Sequence, residues 1–268
     1  MSAATPDATP GRVHLQVTDR IAAITFDRPA ARNAMTWAMY RQLGEICVQL
    51  QTLHTKGEVR VAVFRGAGGQ AFVAGTDIEQ FTAFTSGEDG VAYEKQIDAG
   101  IAALEKLPMP TVAVIEGWAI GGGLAMATAC DFRLATPDTR FGVPIARTLG
   151  NCLSVANIAR LVAAFGSQRV KRMLMLAETL TADEALACGY LAQIVDASEM
   201  DAVRDTLVQK LAKLAPVTQQ VSKEALRRLS SHDLPEGEDL IRQCYGSADF
   251  REGVTAFVGK RSPVWAGR

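Results

Sequence analysis

Three consecutive glycines, Gly121 to Gly123, stand between a β-branched apolar run, Thr111 to Ile115, and a small-residue segment, Leu124 to Cys130, that reads as a buried helix. Glycine lets the chain turn tightly from strand to helix and lets another molecule approach the main chain, while the first amides of a helix have no partner inside it. With the helix dipole added, such a turn favours negative charge developing on a carbonyl oxygen. Taken alone, a triple glycine is better explained by close packing of a helix on a sheet. A second segment changes that balance. Gly66 to Ile78, Gly-Ala-Gly-Gly-Gln-Ala-Phe-Val-Ala-Gly-Thr-Asp-Ile, also follows an apolar run, Val61 to Phe64.

The ordered pair, strand then Phe-x-Ala-Gly-x-Asp-Ile and later strand then Gly-Gly-Gly, resembles the crotonase (enoyl-CoA hydratase/isomerase) superfamily. The match extends to Asp27-Arg28-Pro29, Asn33-Ala34, Cys130-Asp131, Phe141-Gly142-Val143-Pro144, Thr181 to Gly189, Arg251-Glu252-Gly253, Ala256-Phe257 and Lys260-Arg261, and so covers residues 12 to 262. The resemblance implies an α/β fold, a crotonase-like spiral of ββα units followed by a helical trimerisation region, with trimers that often pair into hexamers. It also implies an acyl-CoA substrate whose thioester oxygen is held by two main-chain amides, here those of Thr76 and Gly122. Since each donor is main chain, the side chain at 76 is expected to be nearly free to vary. Coenzyme A is then part of the substrate and no separate cofactor is expected. Its contacts are implied at Arg32 to Ala34, at Ala74, Asp77 and Ile78, and at Phe257 and Lys260 of the C-terminal helix, often from a neighbouring subunit. Phe257 reads equally well as ordinary packing, and Lys260 as a solvated side chain; Glu79 stands where some relatives place a lysine.

The chain departs from the hydratase pattern at the acid/base positions. Hydratases of this family carry one glutamate two residues after the third glycine and another directly after Phe-Gly-x-Pro; those positions here are Ala125 and Ile145. Neither can move a proton, and a positioned acid or base contributes about 10² to 10⁴ in rate. Some relatives place a carboxylate further along, in the loop that here runs Arg147 to Ser154. There Asn151 could orient a polar substrate group, and Cys152 could serve as nucleophile or proton carrier if Arg147 or the next helix stabilised its thiolate. The plainer reading of the same two residues, a turn or cap residue and a small buried one, has the better claim. Glu116, at a strand end, and Asp77, able to accept amides of its own loop, read as structural. The expected function is an enzyme on acyl-CoA thioesters, suited to isomerisation or decarboxylation more than to water addition; the alternative is a catalytically silent acyl-CoA binder or oligomeric partner.

Composition narrows the field. A formal net charge of −1 gives no sign of a nucleic-acid partner, and the cluster Arg169, Lys171, Arg172 and the pair Arg227, Arg228 read as solvated helix faces. Five dispersed cysteines without C-x-x-C argue for reduced thiols and a cytoplasmic location. Three scattered histidines argue against a metal site. Residues 1–11 read as a disordered tail with neither the basic nor the apolar region of a signal peptide, and no stretch reads as membrane-spanning. No G-x-G-x-x-G occurs at the glycine turn, which removes the dinucleotide-dependent oxidoreductase reading.

These residues need elements to hold them. Ile21 to Phe26, Val61 to Phe64, Thr111 to Ile115 and Phe132 to Ala135 read as strands. Thr36 caps a helix whose Met39, Leu43, Ile46, Leu50 and Leu53 recur at helical steps. Strands alternating with helices imply a largely parallel sheet. After residue 150 strands nearly vanish: Ser154 caps a helix with Ile158, Leu161, Val162 and Phe165 on one face, closed by Gly166, and Thr181-x-x-Glu184 is a capping box. From Asp201 the chain is helical, with Val203, Leu207, Leu211 and Leu214 as one stripe. The expected division is an acyl-CoA-binding core over 12–200 and a helical trimerisation region over 201–268.

Overall fold

The computed structural model describes residues 11–230, 234 and 236–267. The expected tail falls outside these residues except for Gly11, which is buried: a Cβ there would lie 2.6 Å from the Met39 sulfur.

The chain repeats a ββα unit. β1 (Arg12–Thr18) and β2 (Ile21–Asp27) lead to α1 (Trp37–Thr55), β3 (Val61–Gly66) and β4 (Ala71–Val73) to α2 (Gly87–Glu105), and β5 (Thr111–Ile115) and β6 (Trp118–Ile120) to α3 (Gly122–Ala129). β7 (Phe132–Ala135) and β8 (Arg140–Gly142) precede the short α4 (Ile145–Thr148), α5 (Val155–Phe165) and α6 (Ser167–Met175). β9 (Thr179–Thr181), α7 (Ala182–Ala187) and β10 (Gln193–Ile194) follow, and then only helices: α8 (Met200–Lys213), α9 (Pro216–Ser230), α10 (Glu238–Tyr245) and α11 (Ala248–Val258).

From β3 to β10 each pair gives one strand to each of two sheets. The first has six strands in the order β1-β2-β3-β5-β7-β10, parallel except for the β1–β2 hairpin; the second has four, β4-β6-β8-β9. This is the spiral that the resemblance implied. β5 is buried along its whole length, as a parallel strand covered on both faces must be. Its alternate side chains divide between two cores: Ala113 and Ile115 join Phe64, Met39 and Leu50 under α1, while Val112 and Val114 join Val61, Met200, Val208 and Leu211 under α8.

Local sequence sets the ends of the helices. The Thr36 hydroxyl accepts from Met39 N, the Ser154 hydroxyl from Asn157 N, and the Thr181–Glu184 capping box is closed in both directions. On α5 the expected apolar face is shifted: Val162 is 37% exposed, and Asn157 is buried beside Leu161 and Phe165. On α8 it is Val208 and Leu211 that are buried, and Leu214 is exposed. α9 has no buried residue and presents Val217, Val221, Leu226 and Leu229 to the outside. It is tied down by Lys223, whose Nζ donates to Asp131 Oδ2 at 2.7 Å, an oxygen that also accepts from Thr111 N and Thr111 Oγ1.

Candidate active site

The two glycine segments meet at one cavity of about 230 Å³, walled by Ala74 to Thr76, Ile120 to Gly122, Ala125 and Ile145 on one side. Gly75 has φ +96° and Gly121 φ +54°, values that side-chain-bearing residues rarely adopt. The Gly75 carbonyl accepts from Met35 N at 2.8 Å. In a trans peptide the next N–H points the opposite way, so the Thr76 amide is turned away from Met35. The Gly121 carbonyl accepts from Ala125 N at 3.1 Å, along the helix; the Gly122 amide therefore points back out of the N-terminus of α3. The turns abut: a Cβ on Gly122 would lie 3.8 Å from Thr76 Oγ1.

The side chain at 76 is not idle, contrary to expectation. Its hydroxyl bonds the Tyr40 and Tyr93 hydroxyls, each at 2.8 Å, so one threonine joins α1 to α2 directly behind the amide. Burial pushes both tyrosines above the usual phenol range.

The segments implied for coenzyme A also come together. Ala74 N donates to the Arg32 carbonyl at 3.1 Å, Asp77 N to the Met35 carbonyl at 2.9 Å, and Arg28 Nη1 pairs with Asp77 Oδ2 at 2.8 Å. Asp77 also accepts from Glu79 N, capping the 3-10 turn Ile78–Ala83. Arg32 is exposed beside the half-buried Ala34, and Ile78 lies on the cavity wall. Phe257 of the same chain lines both the cavity and an adjoining hollow, whose wall includes Lys260, Arg147 and Arg261.

Asn151 and Cys152 part company. Asn151 lines the cavity, donates from Nδ2 to the Tyr245 hydroxyl at 3.3 Å, and has a buried Oδ1 with no hydrogen-bond partner among the described residues. Cys152 is not part of the cavity wall. The neighbouring Cys244 thiol, burial and the Glu94 carboxylate all push its own thiol upward, so its surroundings oppose the thiolate that nucleophilic or proton-carrying work needs. Glu116 is held by Arg65 in a two-pronged ion pair at 2.7 and 3.0 Å, as a structural residue.

The carboxylate on the cavity wall is Glu94 of α2, a residue not singled out from the sequence. It is 2% exposed and lines the same wall as Tyr93 and Ile97. Tyr245 Oη donates to its Oε1 at 2.7 Å and Ser154 N to its Oε2 at 3.0 Å. Burial raises its carboxyl to about 7, against the lowering pull of those two donors, with Asp98 adding to the rise. The sequence did hold a signal: Glu94 interrupts the buried helical stripe Val91, Ile97, Ile101, Leu104, and a carboxylate is almost never fully buried without partners. Among the described residues no group of three or more His, Cys, Asp and Glu side chains is placed to hold a metal ion, and no helix is long and apolar enough to cross a membrane.

The two-sheet ββα spiral with abutting glycine turns defines a crotonase-type protein. Residues 16–268 match the model of the family described as enoyl-CoA hydratase/isomerase, and the chain belongs to that family. It is 32% identical to carnitinyl-CoA dehydratase of Proteus mirabilis, over 96% of this chain and 98% of that one. To short-chain-enoyl-CoA hydratase of Clostridium acetobutylicum it is 29% identical, over 93% and 95% of the two chains. A solved methylmalonyl-CoA decarboxylase in complex with 2-nitronate-propionyl-CoA superimposes with a TM-score of 0.86 at 26% identity, covering 96% of this chain and 98% of that one. The protein is an enzyme of the crotonase type.

Proposed function

We propose that this enzyme acts on an acyl-CoA thioester through an enolate whose oxygen is held by the amides of Thr76 and Gly122, and that it rearranges or decarboxylates the acyl chain instead of adding water. The observation that carries this reading is the cavity wall itself. Thr76 and Gly122 both line it, while the positions where hydratases keep their glutamates present the methyl of Ala125 and the aliphatic chain of Ile145. Each donor is worth about 3 kcal/mol to a developing oxyanion. Water addition needs a carboxylate to activate water, and neither residue supplies one.

Coenzyme A would enter past Phe257, with its phosphates toward Lys260 and Arg147 in the adjoining hollow and its bent chain against Arg32, Ala34, Ala74, Asp77 and Ile78. The apolar acyl group would lie against Ile97, Ile120 and Leu149, with Asn151 on the same wall. No separate cofactor enters this scheme. The exposed apolar residues of α9 support assembly as a homotrimer or a dimer of trimers, and the free cysteines suit the cytoplasm. Incubation with a mixed panel of enoyl-, hydroxyacyl- and malonyl-type CoA thioesters, followed by mass spectrometry, tests the reading. Loss of CO2 from a malonyl-type probe, or an enoyl isomer of unchanged mass separated by chromatography, is expected; gain of water as the main product, or binding of every thioester with turnover of none, would overturn it.

A further inference from the structure

Four groups of the cavity region remain unused by a mechanism resting on amides alone: Glu94, Tyr245, Asn151 and the Cys152–Cys244 thiol pair. The thiols lie off the cavity wall. Glu94 lies on it, on the helix that also carries Tyr93, whose hydroxyl is bonded to the threonine of the oxyanion turn. The placement is built rather than incidental. α2 and α10 pack through Gly87 and Gly90: a Cβ on Gly90 would lie 2.2 Å from the Tyr245 ring, and one on Gly87 2.3 Å from the Arg242 carbonyl. One helical turn beyond Gly90, the Tyr245 hydroxyl therefore reaches Glu94 Oε1, while the loop entering α5 brings the Ser154 amide to the other oxygen.

We infer that Glu94 is the proton-moving group of this enzyme, shuttling one proton between two carbons of an unsaturated acyl chain whose thioester oxygen rests on the Thr76 and Gly122 amides. This rests on the proposed thioester chemistry and names its substrate class: an enoyl-CoA with its double bond one carbon away from conjugation. In the first half, the Glu94 carboxylate takes the proton from C2. The C2–H bond breaks, and its electron pair passes through C1 to the carbonyl oxygen, where the two amides receive the charge. In the second half the oxygen returns its pair, C2=C3 forms, and the former C3=C4 pair takes the proton from the Glu94 carboxyl at C4. Glu94 ends as it began, and neither water nor a second carboxylate is consumed. A single group suffices because the carboxyl that holds the C2 proton can give it to C4, or return one to C2 after trading it with water, which is the chemistry left open once Ala125 and Ile145 have replaced the hydratase pair.

The first half needs the ionised carboxylate. Its titration is set by burial, by the Tyr245 hydroxyl of α10 and the Ser154 amide of the loop before α5, and by Asp98 on α2; the other titratable groups that face it are Tyr93 of α2, Tyr40 of α1, Cys152 of that loop and Cys244 of α10, and Asp98 itself faces Arg160 at 3.8 Å. With Glu94 raised to about 7, proton abstraction climbs as pH rises through neutrality and then levels. A carboxyl titrating there serves as base and acid at the same pH.

The test is exchange of C2 hydrogens in D2O, followed by mass spectrometry, with 3-butenoyl-CoA, 3-hexenoyl-CoA and butyryl-CoA as probes. The wild-type protein is expected to exchange them, faster at pH 8 than at pH 6, and to convert the two enoyl probes to their 2-enoyl isomers. Glu94→Gln should slow both by about 100-fold or more while still binding the thioesters. Tyr245→Phe, which removes a donor to the carboxylate, should move the midpoint of the pH profile to higher pH. Wild-type rates in Glu94→Gln would overturn the role of Glu94 and leave the thioester reading standing. Neither exchange nor isomerisation by the wild type, with thioesters bound, would overturn the proton shuttle; if a malonyl-type CoA thioester were left unchanged as well, the thioester reading would fall with it.

Discussion

The hydroxyl of Tyr245 donates to Glu94 Oε1 at 2.7 Å across 151 residues of chain. One end of that bond belongs to the second ββα unit and the other to the C-terminal helices, so the ionisation of a cavity carboxylate is coupled to how the last helices dock. Tyr245 packs on Phe250 with ring centroids 4.8 Å apart, and Phe250 reaches Phe81 at 6.1 Å, which lines the cavity with Thr76. The C-terminal helices thus close the cavity as well as follow it.

Burial of Glu94 sets a pH signature of stability. Its carboxyl stands at about 7 in the folded chain against 4.5 when free, so between those values the folded state holds the proton more tightly than the unfolded one. Stability from this group is full below about pH 4.5 and is lost as pH rises through 7, by about 3 kcal/mol. The melting temperature of wild-type protein should fall relative to that of Glu94→Gln between pH 5 and pH 8. Parallel curves would contradict the burial.

The α2–α10 contact has no room at Gly90. Gly90→Val would drive two methyls into the Tyr245 ring and should cost about 1 to 3 kcal/mol. Proton exchange should fall with it, since the ring positions the hydroxyl on Glu94. Denaturant unfolding and the exchange assay together check this.

Thr76→Ala keeps the amide but deprives the Tyr40 and Tyr93 hydroxyls of the partner they share. A loss of about 1 kcal/mol in unfolding free energy is expected for the lost hydroxyl, since the two phenols keep each other as partners, with kcat reduced far less than by removing the amide. Thr76→Ser, which keeps the hydroxyl, should recover most of the stability.

Returning carboxylates to the hydratase positions gives a gain-of-function test. The double variant Ala125→Glu, Ile145→Glu should hydrate crotonyl-CoA at least about ten-fold faster than wild type, read as loss of enoyl absorbance. No increase in a variant that still folds would mean that more than these two side chains separates this cavity from a hydratase.

The legible part of this protein was the part built from long periodic runs and from glycine. Thr111 to Ile115 reads as a strand because five apolar, largely β-branched residues are buried on both faces, and α1 is announced by Thr36 and its spaced apolar residues. The second sheet was not legible. Its strands, β4, β6, β8 and β9, have three residues each, too few for an alternation to register, and they owe their pairing to neighbours distant in sequence. The two glycine turns were legible because the backbone conformation at Gly75 and Gly121 is written in the residue type. Glu94 was not, because its role depends on Tyr245 and Ser154 arriving from other units; the carboxylate within an apolar helical stripe was the trace it left. For Cys152 the sequence left the nucleophile reading open beside the plainer one, since Cys244, which opposes its thiolate, comes from α10.

The central claim, two amides on one thioester oxygen, is tested most directly at Gly122. Its amide is the first of α3, a position where proline fits a helix, so Gly122→Pro deletes the donor. Gly122→Ala adds a Cβ but keeps it. Since that Cβ would meet the Tyr40 hydroxyl at 2.8 Å, both belong in a Tyr40→Phe background. The measurement is kcat for whichever acyl-CoA probe turns over. Gly122→Pro should lie about 100-fold or more below Gly122→Ala; equal rates in the two variants would contradict the oxyanion site and the enolate chemistry built on it.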